Sequence, residues 1–184
     1  MRACAQGVAA YHLAQGLQAE PITVGYDTRF ASAEFAIATA EVLAGNGLRV
    51  VLASSPTPTP VCSFTVVDQG AAGGIIITAS HNPPQWNGFK YRTRYGGSPP
   101  GDVIAAIEAE VAQVRGPEDL RRLPMEAARA KGLVTDVEPS GSYLERLASL
   151  IDLEALRGLG WGIVVDAMHG AGGGYLPRLL RGGA

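Results

Sequence analysis

The sequence has 184 residues, 47% of them hydrophobic and 17% charged, with a formal net charge of −2. Enough apolar residues are present to bury a core, which excludes a disordered chain, and 15 basic residues against 17 acidic ones, with no basic block, argue against a nucleic-acid partner. Cys4 and Cys62 form no close-spaced pair, which excludes a disulfide framework or zinc site, and no apolar run reaches the roughly 18 residues of a membrane span, so a cytoplasmic protein with no membrane partner is expected.

Along the chain, residues 2–18 read as a helix with Val8, Tyr11, Leu13 and Leu17 roughly on one side. A short strand over 22–25 follows, then a polar turn (YDTRFAS, 26–32) and a helix over 33–44 ended by Gly45 and Gly47. Residues 49–53 (RVVLA) form a second buried strand. The proline-rich run 54–60 is irregular, because proline lacks the donor and restrains its neighbour. A short helix over 61–69 leads to a third strand, 73–78 (GGIIIT), apolar on both sides and therefore covered on both faces. A loop over 79–87 precedes a strand over 89–92 and a helix over 103–114. Strands alternating with helices predict an α/β, three-layer α/β/α domain with a mixed, largely parallel sheet. Residues 115–139 are charged, contain proline and lack periodicity, and read as a linker. Ser142 and Glu145 form a capping-box pattern before Leu147 and Leu150. A strand over 161–166, the glycine-rich HGAGGG (169–174) and a short helix begin a second, similar unit. The expected division is a first domain over 1–138 and the incomplete start of a second over 139–184.

The most informative stretch is AAGGIIITASHNPPQWNGFKY, residues 71–91. A buried strand delivers Thr78, Ala79, Ser80, His81 and Asn82 to its C-terminal end, where α/β sheets bind ligands. Two prolines stiffen the loop, Gly88 permits a tight return, and Lys90 lies ten residues after Ser80, within reach of turning back over it. Ser, His, Asn and Lys on one rigid loop suit phosphoryl chemistry: the hydroxyl carries or receives the group and the lysine neutralises charge or moves a proton. The competing reading is a polar loop whose Ser and Asn satisfy turn backbone. Asp27 and Arg29 follow the first strand and are placed either to shape the site as a local pair or to contact substrate. The PTPTP run (56–60) reads as a rigid connector at the rim. The HGAGGG loop follows a strand and precedes a helix, which suits phosphate binding, yet Tyr175 breaks G-x-G-x-x-G. It also suits the oxyanion loop of an esterase, but no G-x-S-x-G exists to make a serine hydrolase of the chain.

Residues 73–91 resemble the active-site segment of the α-D-phosphohexomutases, the phosphoglucomutase and phosphomannomutase superfamily, whose pattern T-A/G-S-H-N-P-x-x-x-N-G-x-K is matched by Thr78, Ala79, Ser80, His81, Asn82, Pro83, Asn87, Gly88 and Lys90. GYDTR (25–29), PTPTP (56–60) and DAMHGAGGGYL (166–176) resemble the family in the same order. The resemblance implies that Ser80 carries the phosphoryl group in the resting enzyme and donates it to a hexose phosphate substrate. A hexose 1,6-bisphosphate intermediate then reorients and returns its other phosphate to Ser80, shifting phosphate between the 1- and 6-positions of glucose or mannose. Lys90 takes the role of the active-site lysine, His81 and Asn82 neighbour the phosphoserine, Asn82 and Arg29 face substrate, and Mg²⁺ touches the phosphate of Ser80.

Three pieces of the family pattern are missing from the chain: a G-T-S-G-x-R-G segment before the first helix, a metal-binding D-G-D-x-D-R loop, and the C-terminal phosphate-binding domain. The expectation is therefore a fragment that is inactive or nearly so alone and whose partners include the missing domains. The alternative is a non-catalytic phosphosugar-binding remnant of the same fold.

Overall fold

A computed structural model describes residues 1–181. Short apolar runs rich in Ile and Val build five strands, β1 (Ile22–Tyr26), β2 (Val50–Ala53), β3 (Gly73–Ile77), β4 (Phe89–Thr93) and β5 (Val134–Val137). They form one sheet in the order β4-β3-β1-β2-β5, parallel except for β4, which runs antiparallel to β3. The chain moves from β1 to β2 on one side and then crosses to β3 on the other. The sheet therefore has a switch point at β1, and the C-terminal ends of β1, β2 and β3 open side by side into one crevice.

The two faces of the sheet carry different side chains because successive residues alternate. Ile22, Val24, Val50, Leu52, Ile75 and Ile77 point into a core covered by α1 (Arg2–Ala14), α2 (Ser32–Gly45), α4 (Gly101–Val111) and α5 (Met125–Ala130). The opposite face is lined by smaller residues, and α3 (Thr59–Asp68) settles close onto it. A β-carbon at Gly74 would lie 2.5 Å from Thr23 Oγ1 and Val66 Cγ2, and one at Gly25 would collide with Cys62. The close seating of α3 depends on those two glycines. This is the three-layer α/β/α arrangement with a mixed, largely parallel sheet that the sequence predicts.

Four local expectations are corrected. The first helix ends at Ala14 rather than 18, where Gly16 turns at φ +69°, and its buried side carries Ala5, Val8, Ala9 and His12 while Leu13 is exposed. Helix α3 begins inside the proline run, at Thr59, since proline is tolerated in a first turn where its missing N–H has no partner to lose. Residues 115–139 are not a linker: they hold a 3₁₀ turn (Pro117–Asp119), α5 and β5, which pairs with β2. The nearly buried Glu41 carboxylate organises this segment, accepting from Arg122 Nε at 2.7 Å and from the Met125 N–H at 3.1 Å, while Ala128 is fully buried. The capping box at Ser142 and Glu145 does not form. Helix α6 (Ser140–Leu150) starts two residues earlier, and Ser142 Oγ instead donates to Asp68 at 3.3 Å.

A fifth expectation also fails. Residues 161–166 are not a strand; among the described residues no neighbouring strand offers a ladder, and Trp161 and Val164 stand exposed. The short helices α7 (Leu153–Arg157) and α8 (Tyr175–Leu180) complete the described chain; 182–184 of the expected second unit lie outside the described residues. Among the described residues no helix is long and apolar enough to cross a membrane.

His12 is fully buried between α1 and β4, its Nε2 2.9 Å from the Tyr91 hydroxyl and its Nδ1 without a partner. Burial disfavours the imidazolium and pushes its pKa down to about 4. The unfolded chain takes up this proton near pH 6.5 and the folded chain only near 4. Stability is therefore full above about 6.5 and falls as pH drops through that window, by about 3 kcal/mol at most. Denaturant unfolding at pH 7 and pH 4 should show this drop, and it should shrink in His12→Gln. An undiminished drop in the variant would remove His12 as the cause.

Candidate active site

The crevice is built by three segments that leave the sheet side by side. Residues 27–32 follow β1, 54–58 follow β2 and 78–88 follow β3. They are tied together before any ligand is considered. The Thr57 N–H donates to the Tyr26 carbonyl at 2.7 Å, the Asp27 N–H to the Ile77 carbonyl at 3.1 Å, and the Thr78 N–H to the Gly88 carbonyl at 3.0 Å. A β-carbon at Gly88 would lie 2.8 Å from the Thr78 oxygen, so the return of the loop needs glycine there.

Arg29 is the keystone of this arrangement. Its Nη1 donates to the carbonyls of Pro83 at 2.8 Å and Trp86 at 3.2 Å, and its Nη2 to those of Ser80 and Asn82, both at 2.7 Å. Its Nε lies 3.2 Å from Asp27 Oδ2. The four Nη–H donors are thus all engaged on the backbone of the 80–86 loop, while Nε faces Asp27 as an ion pair. Asp27 is held in turn: its Oδ1 accepts from the Arg29 N–H at 3.1 Å and from Ser32 Oγ at 2.7 Å. Asn87 closes the circuit, with Nδ2 donating to Ser32 Oγ at 2.8 Å and Oδ1 accepting from the Gly88 N–H at 3.0 Å.

On this scaffold Ser80 is exposed and has φ +57°, a left-handed conformation that costs a serine of order 1–3 kcal/mol and that the surrounding bonds maintain. Its N–H donates to Thr78 Oγ1 at 3.0 Å and its carbonyl is gripped by Arg29. The turn raises the hydroxyl out of the sheet end and into an open cleft of about 810 Å³, large enough for a hexose phosphate. Nδ1 of His81 lies 3.3 Å from Ser80 Oγ. Arg29, Ser80, His81 and Asn82 all line this cleft, as do Asp27, Thr57 and Thr59.

Lys90 is placed differently. It sits on β4 opposite Ile76, so the alternation of the strand turns its side chain to the α3 face, while its neighbours Phe89 and Tyr91 face the core and a second cavity of about 540 Å³ against α1 and α4; it is not part of the Ser80 cleft wall. It makes no ion pair among the described residues. Two parts of the cleft were undervalued in the sequence. PTPTP, read as a rim connector, contributes Thr57, Pro58 and Thr59 to the wall, and HGAGGG places Gly170, Ala171 and Gly172 across from Ser80. The signal in both was a break in regular structure at the C-terminal end of an apolar run.

The donor set was tested against a metal ion. Among the described residues no three His, Cys, Asp or Glu side chains are grouped to hold one, and the one acidic side chain on the cleft wall, Asp27, is turned to Arg29 and Ser32. These residues do not by themselves form a Mg²⁺ site.

Comparison with known proteins adds to this geometry. The family model for phosphoglucomutase/phosphomannomutase, alpha/beta/alpha domain I, matches residues 1–117. A phosphoglucomutase of Komagataeibacter xylinus is 29% identical over 95% of this chain and 33% of its own length. A phosphoglucosamine mutase of Anaeromyxobacter sp. is 35% identical over 94% of this chain and 36% of its own. A crystal structure from Thermus thermophilus, provisionally assigned as a phosphomannomutase, superposes with a TM-score of 0.85 at 39% identity, covering 98% of this chain and 38% of that one. The chain spans about a third of the length of the curated relatives it matches.

The four-bond grip makes Arg29→Lys a sharp test of the loop. Lysine keeps the charge but lacks the fork. The Asn82 and Trp86 amides, bonded to the Ala79 and Pro83 carbonyls, should exchange with solvent roughly 10- to 100-fold faster in the variant. The β3 amides should keep their protection. Unchanged exchange at Asn82 and Trp86 would mean that the loop holds its shape without Arg29.

Proposed function

Because this chain belongs to the phosphoglucomutase/phosphomannomutase family, we propose that Ser80 is the hydroxyl that carries a phosphoryl group to and from a hexose phosphate. The observation that carries this reading is the conformation of Ser80, held exposed at positive φ on a loop whose backbone oxygens are fixed by Arg29. Phosphoryl transfer asks mainly for in-line placement and charge stabilisation, so a pre-set oxygen is the part this segment can contribute. In the forward half-reaction a sugar hydroxyl attacks the phosphoserine phosphorus. The new P–O bond forms as the Ser80 Oγ–P bond breaks, the sugar hydroxyl loses its proton and Oγ regains one. His81, with Nδ1 beside Oγ, and Asn82 are the near groups that hold the transferring oxygens. Arg29 acts as a positioning residue, since its donors are engaged with the loop. Lys90, on β4 and outside the cleft wall, would have to extend towards the end of β3 to balance charge or move a proton there.

On this reading the protein is an isomerase of cytoplasmic carbohydrate metabolism. It interconverts hexose 1-phosphate and hexose 6-phosphate, with glucose or mannose the sugars that the wording of its loops favours. Residues 1–138 are its phosphoserine domain and 139–184 begin the next. The Mg²⁺ ligands and the contacts to the far end of the sugar belong to parts of the relatives outside the third matched by this chain.

The test is chemical. The purified chain is incubated with glucose 1,6-bisphosphate and Mg²⁺, digested and analysed by mass spectrometry. The peptide containing Ser80 should gain the mass of one phosphoryl group, and Ser80→Ala should gain none, while mutase turnover by the 184-residue chain stays below detection. Phosphate on another residue, or none anywhere, would remove Ser80 from the role. Phosphosugar binding without any transfer would favour a binding remnant.

A further inference from the structure

Phe30 is 91% exposed and lines the Ser80 cleft, yet its backbone is one of the most constrained stretches in the protein. Arg29, immediately before it, has all four Nη–H donors engaged on the loop. The Phe30 carbonyl accepts from Asn87 Nδ2 at 3.3 Å, Ala31 immediately after it is left-handed at φ +59°, and the Ser32 N–H returns to the Arg29 carbonyl at 3.1 Å. A single exposed apolar residue is ordinary on a protein surface. A phenyl group whose backbone is held from both sides at the mouth of a polar cleft is different, because its Cβ is carried to a fixed place and only the side-chain torsions remain to be settled on binding.

We propose that Phe30 is a stacking platform for the hexose ring, a positioning residue for the site; this rests on the phosphosugar reading of that cleft. The neighbouring side chains of the wall, Asp27, Arg29 and Thr57, have their polar groups turned to the protein: Asp27 to Arg29 and Ser32, Thr57 Oγ1 to the Ser55 carbonyl at 2.8 Å. On this side of the wall little is left to hold a sugar by hydrogen bonds, and polar groups for its phosphate come from Ser80, His81 and Asn82. A pyranose presents flat C–H faces between rims of hydroxyls, and an aromatic face covers such a surface without asking for a donor or an acceptor at any particular place. That lack of direction suits the reaction. A site that meets a hexose first by one end and then by the other gains from a wall that favours neither orientation.

The test is an NMR titration of the 184-residue chain with glucose 6-phosphate and, separately, with inorganic phosphate, in wild type, F30L and F30W. Leucine retains an apolar side chain but removes the aromatic face. F30L should weaken glucose 6-phosphate binding by about five- to tenfold, while F30W retains it and inorganic phosphate binds all three alike. Sugar ring protons should shift upfield on binding wild type and F30W but not F30L. Equal glucose 6-phosphate affinity in wild type and F30L overturns the platform and leaves the Ser80 reading standing. Equal weakening of phosphate and sugar phosphate in F30L also overturns it, because Phe30 would then only shape the loop. A wild type that binds the two ligands equally well, with no sugar shifts, would mean that Phe30 faces a polypeptide surface rather than a sugar. If wild type binds neither ligand, the phosphosugar reading of the cleft falls and the platform with it.

Discussion

The cleft end of this protein depends on one guanidinium. A loop that leaves a parallel strand and returns antiparallel must turn its carbonyls somewhere, and an outward carbonyl without a partner is costly unless water reaches it. Here four of them, from Ser80, Asn82, Pro83 and Trp86, converge on Arg29. Only arginine presents enough donors in a rigid plane to bind that many acceptors from one point. Asp27 orients the plane from behind, and Ser32 and Asn87 orient Asp27 and the loop. The left-handed turn at Ser80 is tolerable because its carbonyl is one of the four. Removing the charge would release a chain of consequences that ends at the hydroxyl.

The second constraint is the thinness of the sheet under α3. Gly25 and Gly74 let the helix approach closely, and α3 begins at Thr59, directly after the Thr57 and Pro58 that form the cleft wall. The depth of the cleft on that side is therefore set by two glycines in the middle of strands, some way from the chemistry. On the far side, Tyr175 follows the glycine-rich wall and meets Tyr143 edge-on at 6.3 Å, and Tyr143 meets Phe64 of α3 at 5.6 Å. Both walls are thus referred to the same helix.

Much of this was legible in the sequence, and the exceptions share a cause. The strands were recognisable because β-branched apolar runs have a short-range signature, and the Ser80 segment because its residue types and spacing are dense with chemistry. The pairing of Asp27 with Arg29 was visible as a local possibility; the four carbonyls that Arg29 reaches were not, because 51 to 57 residues separate them in sequence and backbone acceptors leave no mark on residue type. Residues 115–139 looked like a linker because what orders them is the Glu41 carboxylate on α2 and the edge of β2, both distant in sequence. Residues 161–166 failed in the opposite direction: their apolar pattern is that of a strand, but a strand is a property of a ladder, and none is beside them.

The electrostatics of the cleft explain why a segment so well ordered is still only part of a site. A sugar phosphate and a phosphoserine together bring several negative charges into about 810 Å³. The one guanidinium on the wall is neutralised by Asp27 and bonded to the loop, and Lys90 is not among the residues that line the cleft. The segment's own contribution is geometric: a serine oxygen at a fixed place, carbonyls turned away from it, and a flat aromatic edge at the mouth. On the proposed reading, positive charge sufficient for two phosphates has to come from outside this wall, from Lys90 or from the two thirds of the relatives' length that this chain does not match. Separating the two tasks has a physical advantage. A cation close enough to stabilise the transferring phosphoryl group would compete with Arg29 for the loop carbonyls' field if it were built into the same segment. Brought in from another element, it can engage when substrate is present and leave the serine's scaffold unchanged.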